Sequence, residues 1–231
     1  MSKNKLARFA ENETFELLFQ HTDYDIRNDK FDLKGKWHQQ FFKNDHPIIL
    51  EVGCGRGEYT LALARRNREC NYIGIDRKGA RLWRGCKTAT EEKMPNVAFV
   101  RCKIEDLECF FALNEISEVW VTFPDPQPKK ERRRLTSPRF VESYKRLLRP
   151  NGLIHLKTDS RLLYQYTLEQ IKLNGWQLQE NIESVYEQSD NDLLTTVQTY
   201  YEKMWLADGS LISYIRFSPN ATPTNANPDR E

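Results

Sequence analysis

No part of the 231-residue chain contains an apolar run of the roughly 18–20 residues that a membrane-spanning helix needs. The first five residues lead into mixed polar sequence and lack the apolar core of a secretion signal. Both absences predict a soluble, cytoplasmic protein with no membrane partner.

Cysteine is scarce and scattered. Its five copies form no CxxC pair and no Cys/His cluster at metal-ligand spacing, so we predict no metal site. Unpaired thiols of this kind are typical of a reducing compartment. The five are Cys54, Cys70, Cys86, Cys102 and Cys109.

The chain also has little net charge, +2 overall, so its global charge identifies no nucleic-acid partner. The distribution is more informative, because five of the six residues from Lys129 to Arg134 are basic. Such a run is usually a solvated surface, but a local basic patch is also typical of a site-specific nucleic-acid contact.

Apolar runs alternate with helical spacing from residue 47 onward, which predicts a doubly wound, mainly parallel α/β sheet. Two aromatic-rich stretches, 176–186 and 200–217, are expected to add antiparallel edge strands. The predicted strands are 47–52, 71–75, 97–101, 118–123 and 153–157, and the predicted helices are 58–66, 78–94, 137–148 and 160–174.

Composition divides the chain into three parts. Residues 1–46 are predicted to be an N-terminal extension with a helix near residues 15–19, and residues 47–217 the folded domain. Residues 218–231 are rich in Pro, Asn and Thr, and we expect a disordered tail there.

A glycine turn follows the first predicted strand, with Gly53, Gly55 and Gly57 directly after the acidic Glu51. Asp76 ends the second strand, where open α/β sheets place a carboxylate that binds ribose hydroxyls. The glycines alone are equally typical of a plain tight turn, but together with Asp76 they favour a nucleoside-type cofactor. The GxGxG spacing and preceding acid resemble the class I S-adenosylmethionine-dependent methyltransferases, which implies a Rossmann-like fold and that cofactor.

Three further segments are candidate parts of the site: the loop with Asp125, the end of the fifth strand with Asp159, and residues 199–202. Asp125 lies between two prolines that restrict the loop, although a stiff loop with a surface aspartate would show the same pattern. Asp159 follows the fifth strand and is equally consistent with the N-cap of the helix near Ser160. Thr199 to Glu202 is, by composition alone, an edge strand with a polar outer face.

The order of the motifs EVGCGRGE, GID, FPDPQPKK with RRRL, HLKTD and TYYE resembles the bacterial tRNA (guanine-N7)-methyltransferase family over residues 47–217. Residues 5–10 are also similar to the N-terminal segment of some members. The FPDP segment with its following lysine is the specific part, whereas the glycine motif is shared by many enzymes.

The resemblance implies methyl transfer from S-adenosylmethionine to N7 of a tRNA guanine, at position 46 of the variable loop. Asp125 matches the catalytic position, and the basic run adds Arg132, Arg133 and Arg134 as candidate tRNA contacts. The implied cofactor residues are Glu51, Gly53, Gly55, Gly57, Asp76 and Asp125, and the implied substrate residues are Lys129, Asp159, Thr199 and Glu202.

Two positions depart from the family pattern. Gln127 stands where the family often has tryptophan, so no stacking is expected there. The third cofactor contact, usually Asp or Asn after the third strand, falls on Lys103, and Glu105 is the alternative.

Other functions are consistent with part of the sequence. A class I methyltransferase acting on a small molecule or a protein accounts for the glycine turn but leaves the basic run unexplained. A catalytically inactive RNA-binding module is disfavoured because Glu51, Asp76 and Asp125 are all present. Guanine N7 carries a lone pair and no proton, so Asp125 would either stabilise developing positive charge or orient the base.

Overall fold

The computed structural model describes residues 3–21, 28 and 31–219, so the predicted tail lies outside the described residues from position 220 onward. The strands are β1 (Leu18–Gln20), β2 (Ile48–Val52), β3 (Asn71–Ile75), β4 (Val97–Arg101), β5 (Ile116–Thr122), β6 (Leu148–Thr158), β7 (Gln177–Ile182) and β8 (Ser213–Ser218). The α-helices are α1 (Lys3–Asn12), α2 (Glu58–Arg66), α3 (Gly79–Glu91), α4 (Pro138–Leu147), α5 (Arg161–Asn174), α6 (Val185–Gln188), α7 (Asp192–Thr196) and α8 (Tyr200–Ala207).

These strands form one sheet in the order β1-β4-β3-β2-β5-β6-β8-β7. The first six in this order pair in parallel, and β8 pairs antiparallel with both β6 and β7. The predicted fold class, a mainly parallel sheet with antiparallel C-terminal edge strands, is therefore confirmed.

The chain changes direction across the sheet between β2 and β5. It runs outward from β2 through β3 to β4, and then returns to place β5 on the other side of β2. In open α/β sheets, ligands bind outside the carboxyl ends of the strands at such a switch point.

Both faces of the sheet are covered, because side chains alternate along each strand. In β2, Ile48, Leu50 and Val52 join the apolar cluster on one face, and Ile49 joins the cluster on the other. A strand buried on both faces reads as a continuous apolar run, which is why residues 47–52 were recognisable from sequence.

The N-terminal prediction was wrong in detail. The first helix ends at Asn12, and residues 18–20 form a short strand parallel to β4 instead of part of a helix. The three residues of β1 form a strand because they pair with the open edge of β4. That edge is distant in the sequence, so the residues around 18–20 do not predict the pairing.

The expected strand over 200–217 was also partly wrong, since only Ser213–Ser218 is extended and Tyr200–Ala207 is helical. Thr199 and Glu202 form a capping box: the Thr199 hydroxyl accepts from the Glu202 N–H, and the Glu202 carboxylate accepts from the Thr199 N–H. This Thr-x-x-Glu signature is a recognised helix start and was visible in the sequence.

Within the described ranges, no helix is both long and apolar enough to cross a membrane.

Candidate functional site

A cavity of about 670 Å³ opens at the switch point, beyond the carboxyl ends of β2 and β5. Its lining comes from five parts of the chain: α1, the end of β2 with the glycine turn and the start of α2, the first turns of α3, the residues that end β5, and the start of α8. The volume suits a ligand of the size of a nucleoside derivative.

The glycine turn forms the floor of this cavity. Gly55 has φ 59° and an open space where a side chain would begin, so its backbone lies bare to a ligand. Gly57 has φ 71°, and a Cβ there would lie 2.6 Å from the ring of Phe99. A side chain at position 57 would therefore push the start of α2 away from the sheet.

Asp76 supports the same turn from β3. One carboxylate oxygen accepts from the Gly55 N–H at 3.1 Å, and the other accepts from the Lys78 N–H at 2.7 Å. A carboxylate oxygen can accept more than one hydrogen bond, so both oxygens keep capacity for a ligand hydroxyl.

Glu51 lies at the base of the cavity and is almost fully buried. The Thr122 hydroxyl donates to one carboxylate oxygen at 2.6 Å, and the Thr60 N–H donates to the other at 2.8 Å together with the Thr60 hydroxyl. Burial raises the pKa of Glu51 to about 7, despite these hydrogen bonds, which lower it. The side chain thus joins β2, α2 and β5 beneath the site.

Several of the predicted cofactor residues lie outside the lining of the cavity: Gly57, Asp76, Lys103, Glu105 and Asp125. Asp76 still contacts the lining through the Gly55 N–H, whereas among the described residues no such contact links Glu105 to it. Glu105 instead faces Arg139 of α4 at 3.8 Å, because the 3-10 turn Ile104–Cys109 packs against that helix.

Asp125 lies in the loop after β5, two residues beyond Phe123 in the cavity wall, and its side chain is exposed. One carboxylate oxygen accepts from the Gln127 N–H at 3.0 Å. Phe123 and Gln127 both have φ of 46°, which is unfavourable for residues with a side chain. Backbone of this kind persists only where its surroundings hold it.

Arg134 supplies part of that support, which corrects its expected place among the tRNA contacts. Its side chain is only 3% exposed, donates to the Pro126 carbonyl at 3.1 Å and stacks over the ring of Tyr166 at 4.3 Å. Because Arg134 is buried, the term basic run refers from this point to the exposed members alone, which are Lys129, Lys130, Arg132 and Arg133.

Asp159 is half-buried at the end of β6, the strand next to β5. Burial raises its pKa above the ordinary value. Ser160, not Asp159, caps the following helix, because its hydroxyl accepts from the Leu163 N–H at 3.3 Å. Asp159 is therefore left for another role.

Glu202 does not reach the cavity, contrary to its expected contact with substrate. It is fully buried and forms an ion pair with the equally buried Lys157 at 2.6 Å. Lys157 also donates to the carbonyls of Leu194 and Val197, and the Tyr186 hydroxyl donates to Glu202 at 2.8 Å.

This buried cluster fixes the start of α8 against the sheet. Thr199 does line the cavity, but its side chain is bonded within the capping box, so it shapes the wall. The role of Lys157 was not predicted, because a lysine inside a strand gives no sign of which carboxylate it meets.

Known proteins resemble this chain over most of its length. A family model described as "Putative methyltransferase" matches residues 45–213. The tRNA (guanine-N(7)-)-methyltransferase of Christiangramia forsetii is 51% identical over 220 residues, covering 94% of this chain and 98% of the relative. The enzyme of the same name from Bacteroides thetaiotaomicron is 47% identical over 217 residues, covering 94% and 86%.

Among solved structures, the 16S rRNA methyltransferase KamB superposes with a TM-score of 0.61 over 78% of this chain and 91% of its own. At 16% identity this likeness concerns the fold alone. The sequence relatives and the family model decide the assignment: the chain belongs to the tRNA (guanine-N(7)-)-methyltransferase family.

Proposed function

We propose that this chain transfers the methyl group of S-adenosylmethionine to N7 of a guanine in tRNA. The observation that carries the proposal is the lining of the cavity, which includes both the glycine turn that Asp76 holds and Phe123, at the start of the loop that carries Asp125. Cofactor and base would meet where these two elements face each other. The guanine at position 46 is the one that the family resemblance implies, and action on tRNA would place the protein in the cytoplasm.

The residues present fit the cofactor. Gly55 offers bare backbone, Asp76 offers carboxylate oxygens with spare accepting capacity, and the cavity is large enough for a nucleoside with its side chain. When bound, S-adenosylmethionine supplies an activated methyl group.

The chain has no proton to remove from guanine N7, so its task is to align the base and to stabilise charge. Well-oriented reactions gain up to about 7–11 kcal/mol from alignment. Asp125 accepts from the Gln127 N–H in a loop with positive φ at Phe123 and Gln127, and this favours one orientation of its carboxylate. From there it would accept hydrogen bonds from the base or face the positive charge of the product.

The proposed activity is tested with purified protein, methyl-labelled S-adenosylmethionine and tRNA transcribed without modifications. We expect label in the tRNA, recovered as 7-methylguanosine after digestion to nucleosides. Label in protein or small molecules but not in RNA would support the alternative methyltransferases, and no label anywhere would support an inactive module.

Asp76→Ala is expected to weaken S-adenosylmethionine binding about ten- to a hundredfold, the effect of losing a hydrogen bond to a charged group at about 1.5–3 kcal/mol. Calorimetry of the cofactor gives the affinity, and tRNA affinity serves as the control because it should stay nearly unchanged. An unaltered cofactor affinity would remove Asp76 from the site.

The basic run is expected to hold tRNA phosphates. The double variant Arg132→Gln/Arg133→Gln should flatten the dependence of log affinity on log salt by about 0.7–0.9 for each phosphate that is no longer neutralised. Arg134 is excluded from the variant, since replacing it would release the Pro126 carbonyl and disturb the loop.

A matched control is Arg68→Gln/Lys93→Gln, which removes the same charge at the opposite edge of the sheet, before β3 and β4. Titration of tRNA at several salt concentrations compares the three proteins. Equal slopes for wild type and the Arg132/Arg133 variant would show that these arginines bind no phosphate.

The division into an extension over residues 1–46, a domain over 47–217 and a tail remains a proposal. α1 packs against α3 and contributes Arg8 to the cavity, and β1 pairs with β4, so removal of residues 1–46 is expected to impair folding or cofactor binding.

A further inference from the structure

The cavity has a second basic surface that lies outside the run after β5. Four exposed arginines line it: Arg8 on α1, Arg56 in the glycine turn, and Arg81 and Arg84 one turn apart on α3. We call these four residues the arginine rim. They come from three separate parts of the chain, which is why no sequence window shows them as a cluster.

The rim and the basic run lie on opposite sides of the switch point. The rim belongs to the segments that follow β2 and β3, together with α1, whereas the basic run follows β5 on the other side of β2. A strand of RNA that presents a base to the cavity would have to continue past both.

Charge within the rim is poorly compensated. None of its four arginines forms an ion pair with a carboxylate in the part of the chain that the structure describes. Two acids also line the cavity, Glu51 and Glu58. Glu51 is buried and bonded to Thr60 and Thr122. Glu58 accepts from the Tyr200 N–H at 2.9 Å, so neither acid forms an ion pair with the rim.

The cofactor accounts for only part of this excess. It carries a single carboxylate, which one arginine is enough to pair, whereas its sulfonium and ammonium groups are cations that like charges around the cavity oppose. A polyanion crossing the mouth of the cavity would instead offset the repulsion among the arginines and release its own counterions.

The geometry of two members also suits phosphate. The guanidinium of Arg8 stacks on the ring of Trp83 at 4.6 Å, and that of Arg56 lies over the ring of Tyr200 at 5.7 Å. A guanidinium held by its face leaves its N–H edge free for two hydrogen bonds to one phosphate. Trp83 is itself fixed, because its indole N–H donates to Glu11 of α1 at 2.6 Å.

We propose that the arginine rim binds RNA phosphates on the side of the target guanine away from the basic run. The proposal rests on the proposed function, and it makes α1 and α3 part of the RNA-binding surface. Contacts on both sides of the target guanine would hold the RNA backbone at two points, and this would fix the guanine base over the cavity.

The test is the double variant Arg81→Gln/Arg84→Gln. Both side chains are exposed, so the substitutions leave the core intact, and thermal unfolding verifies this. Affinity for unmodified tRNA is measured at several salt concentrations beside wild type and the control Arg68→Gln/Lys93→Gln. Cofactor affinity is measured by calorimetry without RNA.

We expect the log–log salt slope to fall by about 1.4–1.8 in the rim variant, the change for two phosphates that are no longer neutralised, and to stay unchanged in the control. Cofactor affinity should be unchanged or slightly higher. A slope equal to that of wild type would overturn the proposal, as would a tenfold loss of cofactor affinity with the slope retained. If wild type neither binds nor methylates tRNA, the proposed function fails together with the rim, whereas methylation with parallel slopes rejects the rim alone.

Discussion

Asp125→Ala is expected to lower the single-turnover rate of methylation about a hundredfold or more at saturating cofactor and tRNA. Removal of one preorganised polar group from a reacting centre commonly costs about 10²–10³ in rate. The effect should fall on the rate and not on affinity, because the interaction with the base strengthens as positive charge develops.

The variant Asp125→Asn separates the two possible roles of this side chain. Asparagine keeps an accepting oxygen but not the charge, so near-normal activity would assign base orientation, and a rate close to that of alanine would assign charge stabilisation. Asp45→Ala is a matched control, an exposed aspartate before β2 at the opposite edge of the sheet. If Asp125→Ala raises only the KM for tRNA, the catalytic assignment is wrong.

Lys157→Met is expected to reduce the free energy of unfolding by about 3–5 kcal/mol, because it leaves Glu202 charged and buried without its partner. This substitution should destabilise the fold far more than Asp125→Ala, which alters an exposed side chain. Urea unfolding followed by circular dichroism measures the difference.

The double variant Lys157→Met/Glu202→Gln should recover much of that loss, since neither buried side chain is then charged. The introduced glutamine could still accept from the Tyr186 hydroxyl, which in the wild-type protein donates to Glu202. A Lys157→Met protein as stable as wild type would contradict the buried pair. If the double variant is as unstable as Lys157→Met, the loss of stability comes from poor packing of the methionine and not from an unpaired charge.

The pair also connects stability with the site. The Lys157 ammonium donates to the carbonyls of Leu194 and Val197 and forms the ion pair with Glu202. One side chain therefore fixes the segment that leads into α8. Tyr200 and Tyr201 at the start of that helix line the cavity. Cofactor affinity should therefore fall in Lys157→Met even at temperatures where the protein is folded.

Local sequence was sufficient for much of this molecule. The parallel core was predictable because a strand buried on both faces is a near-continuous apolar run, as in residues 48–50 and 72–75. The glycine turn was predictable because positive φ at Gly55 and the approach of Phe99 to Gly57 exclude other residues. The placement of Asp76 and Asp125 followed from the rule that ligands lie at the carboxyl ends of parallel strands.

Tertiary structure decided which charged residues face the site and which support it. Arg134 and Arg133 are neighbours in the sequence, yet one is buried under the loop and the other is exposed. Glu202 and Lys157 form a buried pair although 45 positions separate them in the chain. The arginine rim likewise exists only where α1, the glycine turn and α3 meet. Burial and pairing depend on contacts between segments that are distant in the chain. The sequence shows that a residue is charged, but it does not show whether that charge is solvated, paired or directed at a ligand.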